Sequence, residues 1–234
     1  MPKKRLLYLG NGRTLQSVAK LDDRFESWGL SVDRFWCYNG DFPETLDGYD
    51  GIFLSGSPHG SYEDIDWIHQ EHDLIQDAGE RQIPQLGICF GSQILASALC
   101  GRDQVFRRPL CEVGYKDLAV TETAATDPLA ADWQDSVNMF VWHNDEVRHE
   151  HEDMVILASS DLCPNQVWRH RIAPAWGIQG HPEVTRAQAP EWLEGNRARM
   201  VQDGGDVDAF IASAHEAAEA KTMITRFVEL VQKG

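Results

Sequence analysis

The chain has 234 residues, 42% hydrophobic and 25% charged, proportions of a folded globular protein that exclude disorder, collagen-like repeats and coiled coil. Lys+Arg number 21 against 37 Asp+Glu; the formal charge of −16 repels a nucleic-acid backbone or an anionic membrane, and no basic stripe opposes it. No apolar run reaches the roughly 18–20 residues of a membrane span, and the apolar part of the opening MPKKRLLYLGNG, Leu6–Leu9, is too short for a signal peptide.

In chain order, Arg5–Gly10 reads as a short buried strand, followed by a helical stretch around Leu15–Trp28. Val32–Tyr38 and Tyr49–Ser55 read as further strands, Trp67–Gly79 as a helix with apolar Ile68, Leu74 and Ile75. Ile83–Cys89 is a fourth strand, and Ser92–Leu99 an Ala- and Leu-rich helix. Alternating strands and helices, with strands apolar throughout, predict a parallel sheet covered on both faces. Then the pattern changes. Tyr115–Thr121, Val137–Trp142, Val155–Ser159, Asn165–Arg169 and Ala175–Gln179 are short strands joined by turns, read as an antiparallel extension of the same sheet. After Pro190 the chain turns helical, most clearly over Ala212–Val231. The expected fold class is α/β: a mostly parallel central sheet flanked by helices with an antiparallel extension. It forms one domain over 1–234, with a core of about 1–190 and a C-terminal helical extension over 191–234.

The cysteines Cys37, Cys89, Cys100, Cys111 and Cys163 are odd in number and scattered, the pattern of reduced thiols in a cytoplasmic protein. No CxxC pair suggests zinc. One of the five sits in a distinctive setting, QLGICFGSQ (Gln85–Gln93): a buried strand ends at Cys89, a helix follows, and Gly87 and Gly91 lie two residues to either side. This is a nucleophile elbow with Cys in place of Ser. A sharp strand-to-helix turn strains the backbone and leaves no room for neighbouring Cβ atoms. It also puts the sulfur at a helix N-terminus, which favours an anion, and aims the Phe90 N–H where an oxyanion would form. The competing reading is a buried Cys at a strand end.

A thiol nucleophile needs a base, and the base needs an orienting group. QGHPE (Gln179–Glu183) follows a predicted strand, and residues two apart on an extended chain share a face. Pro182 holds the segment extended. Glu183 would then fix the His181 tautomer while His181 activates Cys89. Alone, His-Pro-Glu is also compatible with a plain turn.

GICFGSQ together with QGHPE resembles the class I, triad-type glutamine amidotransferase family, which shares a Gly-x-Cys-x-Gly-x-Gln elbow and a His-Pro-Glu ending. IFLSGSPHG (Ile52–Gly60) resembles its oxyanion loop, and WHNDEV (Trp142–Val147) its His-x-Asp-x-Val region over the α-amino and α-carboxylate end of the substrate. The four motifs fall in family order between residues 52 and 183. The resemblance implies flavodoxin-like layering, with Cys89 as nucleophile, His181 as base then acid, and Glu183 as orienter. Gly56, Ser57 and the Phe90 N–H would shape the oxyanion site. Gln93, His143, Asn144 and Asp145 would bind the glutamyl group. The implied chemistry is hydrolysis of a γ-glutamyl amide through a thioester, which needs no metal or organic cofactor.

Ser57 stands where many members have a second glycine, and Ser-Gly-Ser-Pro-His is closer to γ-glutamyl peptidases and to stand-alone proteins named after the amidotransferase part of GMP synthase. Two forms of the function follow: a glutaminase that passes ammonia to a separate synthase subunit, or a stand-alone peptidase acting on γ-glutamyl peptides or conjugates. The residues after Pro190 are too few for a synthetase domain, which leaves a separate partner or no ammonia delivery. A third form, a catalytically silent regulatory subunit, is opposed by the complete Cys-His-Glu set. His69 and His72, with Asp64, Asp66 and Asp73, read as a solvated helix face rather than a metal site, and the cluster His149–Asp153 reads as an exposed loop. Asn11-Gly12 reads as a tight turn without the full phosphate-binding fingerprint. Tyr115 and Trp142 read either as pocket walls or as packing, and Arg107 and Arg108 either as guides for an acidic substrate or as a solvated loop.

Overall fold

The computed structural model describes residues 2–15 and 19–234. Among the described residues nine strands form one sheet in the order β2-β1-β3-β4-β9-β8-β7-β5-β6. Its parallel half consists of β2 (Ser31–Phe35), β1 (Arg5–Leu9), β3 (Gly51–Leu54), β4 (Gln85–Ile88) and β9 (Ala175–Ile178). Every residue of β3, β4 and β9 is buried, the expected state of strands covered on both faces. The antiparallel half consists of β8 (Val167–His170), β7 (Met154–Ser159), β5 (Val105–Val120) and β6 (Ser136–Val147).

The alternation of side chains along β1 sorts the core into two layers. Leu7 and Leu9 join Ile68 and Ile75 of α2 (Asp66–Glu80) and Ile94 and Leu95 of α3 (Phe90–Leu99) on one face. Leu6 and Tyr8 join Phe25 of α1 (Leu21–Ser27) and Met223, Phe227 and Val231 of α7 (Ala218–Lys233) on the other. A third, smaller cluster sets Leu193 of α4 (Ala189–Gly195), Met200 of α5 (Arg197–Gln202) and Val207 of α6 (Val207–Ala212) against Phe140 of β6.

Several elements depart from their predicted bounds. The helix expected over Leu15–Trp28 is helical only over α1, and residues 16–18 of that stretch lie outside the described residues. The second strand stops at Phe35 and gives way to a 3-10 turn over Cys37–Asn39. β5 begins ten residues before the predicted Tyr115. A register shift between Arg107 and Glu112 interrupts its pairing with β6, which hides the strand from an alternation test. The helix expected over Ala212–Val231 starts at Ala218, after α6 has ended.

The solvated face expected on α2 is a correction. His69 is half-buried beside Asp64 (2.7 Å), but His72 is buried and bonds Ser97 Oγ of α3 at 2.7 Å. Burial, with Arg102 and His69 nearby, pushes His72 down to about 4. Glu71 has no exposure and accepts from Asn11 Nδ2 at 2.8 Å; burial pushes it up to about 8, so it is held as the neutral acid at pH 7.

Because Phe227 is fully buried among β1 and α1 residues, Phe227→Ala is expected to cost about 3–5 kcal/mol in urea unfolding. A loss under about 1 kcal/mol would mean that α7 is dispensable to the core.

Candidate active site

β3, β4 and β9 are parallel neighbours in register, Leu54 beside Gly87 and Ile88 beside Ile178, so their carboxyl ends open at one edge. Ligands of parallel α/β sheets bind at that edge. Cys89 leaves β4 there with its N–H bonded to Ile178 O at 2.7 Å, and α3 begins at the next residue. Its backbone sits at φ 56°, ψ −111°, a strained conformation for a residue with a Cβ. The flanking glycines are explained by space. A Cβ on Gly87 would lie 2.2 Å from Gly91 O, and one on Gly91 would lie 2.2 Å from Leu54 O. Neither position accepts any other residue without moving backbone.

The loop after β3 approaches the same point: a Cβ built on Gly56 would stand 3.7 Å from Cys89 Cβ. Ser55 Oγ, accepting from Asn11 N at 2.9 Å, ties this loop to the end of β1. Ser57 Oγ accepts from His59 N at 3.2 Å within the loop.

His181 is carried by the chain leaving β9, and its N–H is bonded to Phe140 O of β6 at 2.7 Å. Its Nδ1 donates to Glu183 Oε1 at 2.8 Å. The other ring nitrogen is left for Cys89, whose proximity raises the imidazole's pKa. Arg24 Nη1 holds Glu183 O at 2.7 Å, and the Trp192 ring lies 5.0 Å from the imidazole. Burial works against a charged imidazole here, but Glu183 and Cys89 outweigh it and raise His181 to about 10.

A cleft of about 480 Å³ opens over this group, bordered by Gly56, Ser57, Gln93, His143, Asn144 and Asp145 as well as Cys89, His181 and Glu183. Of the predicted binding residues only Phe90 is not on its border, its side chain being fully buried against Trp67; the polar atoms of the others differ in availability. Asp145 turns its carboxyl to Tyr62 Oη (3.1 Å) and Arg107 (3.5 Å), and burial raises its pKa. Gln93 Nε2 is engaged by Gln179 Oε1 (3.1 Å) and Asp145 O (3.2 Å). Asn144 Nδ2 and Trp142 Nε1 both donate to Asp203 Oδ2, at 3.2 and 2.8 Å.

His143 offers the cleft no ring nitrogen. Nδ1 faces Asp145 O at 2.9 Å and Nε2 faces Glu112 Oε2 at 3.1 Å. Glu112 also accepts from Ser160 Oγ (2.7 Å) and Gln166 Nε2 (2.9 Å); although burial opposes its charge, His143, Ser160 and Arg108 lower its pKa. The donor atoms of Glu112, His143 and Cys163 lie within 4.8 Å of one another, metal-like in composition. The carboxylate and imidazole are already satisfied inside the protein, and burial pushes the Cys163 thiol well up. The group therefore acts as an internal hydrogen-bonded cluster beneath the cleft.

The two arginines before Pro109 separate. Arg108 is largely buried and bonded to Glu146, whereas Arg107 is exposed and borders the cleft. Trp142 and Trp192 are cleft walls; Tyr115 packs with Phe140 and His215 instead. Tyr62, Arg24 and Trp192 carry no sequence signal that would have placed them here.

Residues 14–197 match the glutamine amidotransferase class-I family. The chain is 32% identical over 174 residues to γ-glutamyl peptidase 4 of Arabidopsis thaliana, covering 72% of this chain and 66% of that protein. It is 32% identical over 143 residues to a glutamine-hydrolysing GMP synthase subunit of Thermoplasma volcanium, covering 61% of this chain and 67% of that protein. The matched part thus spans about two thirds of these relatives' own length. A glutamine amidotransferase of Thermotoga maritima has the same fold, with a TM-score of 0.83 at 23% identity over 97% of this chain and 98% of that one. The chain belongs to the class I glutamine amidotransferase family. Among the described residues no helix is long and apolar enough to cross a membrane.

The His181 value lies above that of a free imidazole, so its pairing stabilises the fold fully below about pH 6.5 and is lost as pH rises through about 10. An NMR titration should find the ring protonated at pH 8, and Glu183→Gln should bring its midpoint down towards the free value. An unshifted midpoint in the variant would remove Glu183 as the group that holds the proton.

Proposed function

We propose that the protein hydrolyses a γ-glutamyl amide through a thioester on Cys89. The observation that carries this reading is the continuous contact Cys89–His181–Glu183 at the open edge of the parallel strands. The sulfur attacks the γ-carbonyl as a thiolate, and charge collects on the carbonyl oxygen between the first-turn N–H of Phe90 and the Gly56–Ser57 loop. The C–N bond then breaks, and His181 gives its proton to the departing amine. Water adds to the thioester and loses a proton to His181, the C–S bond breaks, and glutamate leaves. Glu183 keeps Nδ1 protonated throughout, so the reacting nitrogen is always the one facing sulfur.

Gln93 and Asp145 are the residues proposed to meet the α-amino acid end of the glutamyl group, with Ser57 closing the loop side. His143 and Asn144 support them from behind, through Asp145 O and Asp203. Both kinds of relative act on, or are named for, a γ-glutamyl group: γ-glutamyl peptidases and glutamine-hydrolysing synthase subunits. With glutamine as substrate the product ammonia would pass to a separate synthase subunit; with a γ-glutamyl peptide no such partner is needed.

Cys89→Ala is expected to abolish glutamate release from a panel of γ-glutamyl amides, with a loss of at least about 10³-fold in kcat. Cys111→Ala, on β5 with its thiol turned to Glu112 O, is expected to retain it. Normal turnover by the Cys89 variant would overturn the mechanism.

A further inference from the structure

The reading of Cys89 as nucleophile fixes a direction in the cleft. The departing amine must come within hydrogen-bond reach of His181 to take its proton. On the proposed reading the glutamyl group runs the other way, towards Gln93 and Asp145, which border the same cleft. Whatever substituent the amine carries therefore lies on the His181 side, where the imidazole packs against Trp192 and where Trp192 in turn meets Trp142 at 6.0 Å.

Two arginines besides Arg107 border this cleft. Arg199 of α5 stacks its guanidinium over the Trp142 ring at 4.8 Å, and Arg13, on the chain leaving β1, borders the same cleft. Both are exposed, and among the described residues neither has an acidic partner within 4.0 Å. In a chain of 37 acidic and 21 basic residues, two cations without an acidic partner on the border of one cleft offer their N–H groups to an anionic ligand. Stacking on Trp142 orients the Arg199 guanidinium while leaving its in-plane N–H groups free, the arrangement that favours bidentate binding of a carboxylate. A cleft of about 480 Å³ also lies in the range that holds ligands larger than a single amino acid.

We propose that the part of the cleft between His181 and Arg199, walled by Trp142 and Trp192, is a leaving-group subsite for an amine that bears a carboxylate, an amino acid or short peptide, with Arg199 and Arg13 as its anion-recognising residues. The inference rests on the Cys89 reading and adds to it the substrate class: γ-glutamyl peptides in preference to glutamine. Ammonia, as a leaving group, has nothing to offer either arginine.

The test compares three substrates with the purified full chain, glutamine, γ-glutamyl-alanine and γ-glutamyl-alaninamide, reading glutamate release as kcat and KM separately. The wild type is expected to favour the acid over the amide by on the order of tenfold or more in kcat/KM, carried mainly by KM, since hydrogen bonds to a charged group are at stake. In Arg199→Gln the acid-to-amide ratio is expected to fall to within about twofold of unity, with Arg199→Lys in between and Arg13→Gln as an independent second variant. Both arginines are exposed, and thermal melts superimposable on the wild type will establish that the variants fold. Equal use of acid and amide by the wild type, or an equal loss on both in the variants, overturns the subsite and leaves Cys89 untouched. Hydrolysis of glutamine alone does the same. If none of the three is hydrolysed, both the subsite and the hydrolytic reading fall.

Discussion

Everything at the site depends on a backbone turn that only glycine neighbours permit. Cys89 is held at positive φ because its N–H is spent on Ile178 O and its carbonyl already starts α3. Gly91 presses against Leu54 O and Gly87 against Gly91 O. These contacts bind β3, β4, β9 and α3 into one rigid corner, so the strain of one residue, of order 1–3 kcal/mol, is spread over the most buried part of the sheet. The outcome is chemical: a sulfur at the open edge of the sheet, in front of a helix N-terminus and beside the strand that delivers His181.

The antiparallel half of the sheet serves that corner. β6 reaches over it, Phe140 O anchoring the His181 backbone and Asp145 O receiving both Gln93 and His143. Beneath, Glu112 and His143 form a buried hydrogen-bonded pair, with Ser160 and Gln166 completing the carboxylate's hydrogen bonds. Removing one member would strand the other without solvent, a larger penalty than the pair's own net contribution. The pair therefore keeps the cleft floor in a single arrangement, and the residues facing the substrate side need not do so.

Much of this is legible in the chain itself. Strands buried on both faces, such as Gly51–Leu54 and Gln85–Ile88, announce themselves as short apolar runs, and the spacing of Gly87, Cys89 and Gly91 is a local signal because the constraint is itself local. His181 and Glu183 share a face for the same reason. Long-range features leave no such trace. The first half of β5 carries Arg107, Arg108 and Pro109 through a register shift, so its polarity follows tertiary partners and not a period of two. Glu71 and His72 look like any solvated helix pair until Asn11 and Ser97 arrive from elsewhere in the chain. His143 reads as a ligand contact by its motif, yet the carboxylate it meets lies 31 residues away. The chemistry of a motif can be read in sequence; the direction in which each of its polar atoms points cannot.

The claim on which the account stands is that Cys89 is the nucleophile of a γ-glutamyl site. The most direct measurement treats the intact protein with a glutamine analogue that carries a chloromethyl ketone in place of its side-chain amide, followed by peptide mass mapping of all five cysteines. One equivalent of label on Cys89, prevented by excess γ-glutamyl substrate, is the expected result. Label on Cys100 or Cys111 in its place, or a Cys89 that remains unmodified, would contradict it.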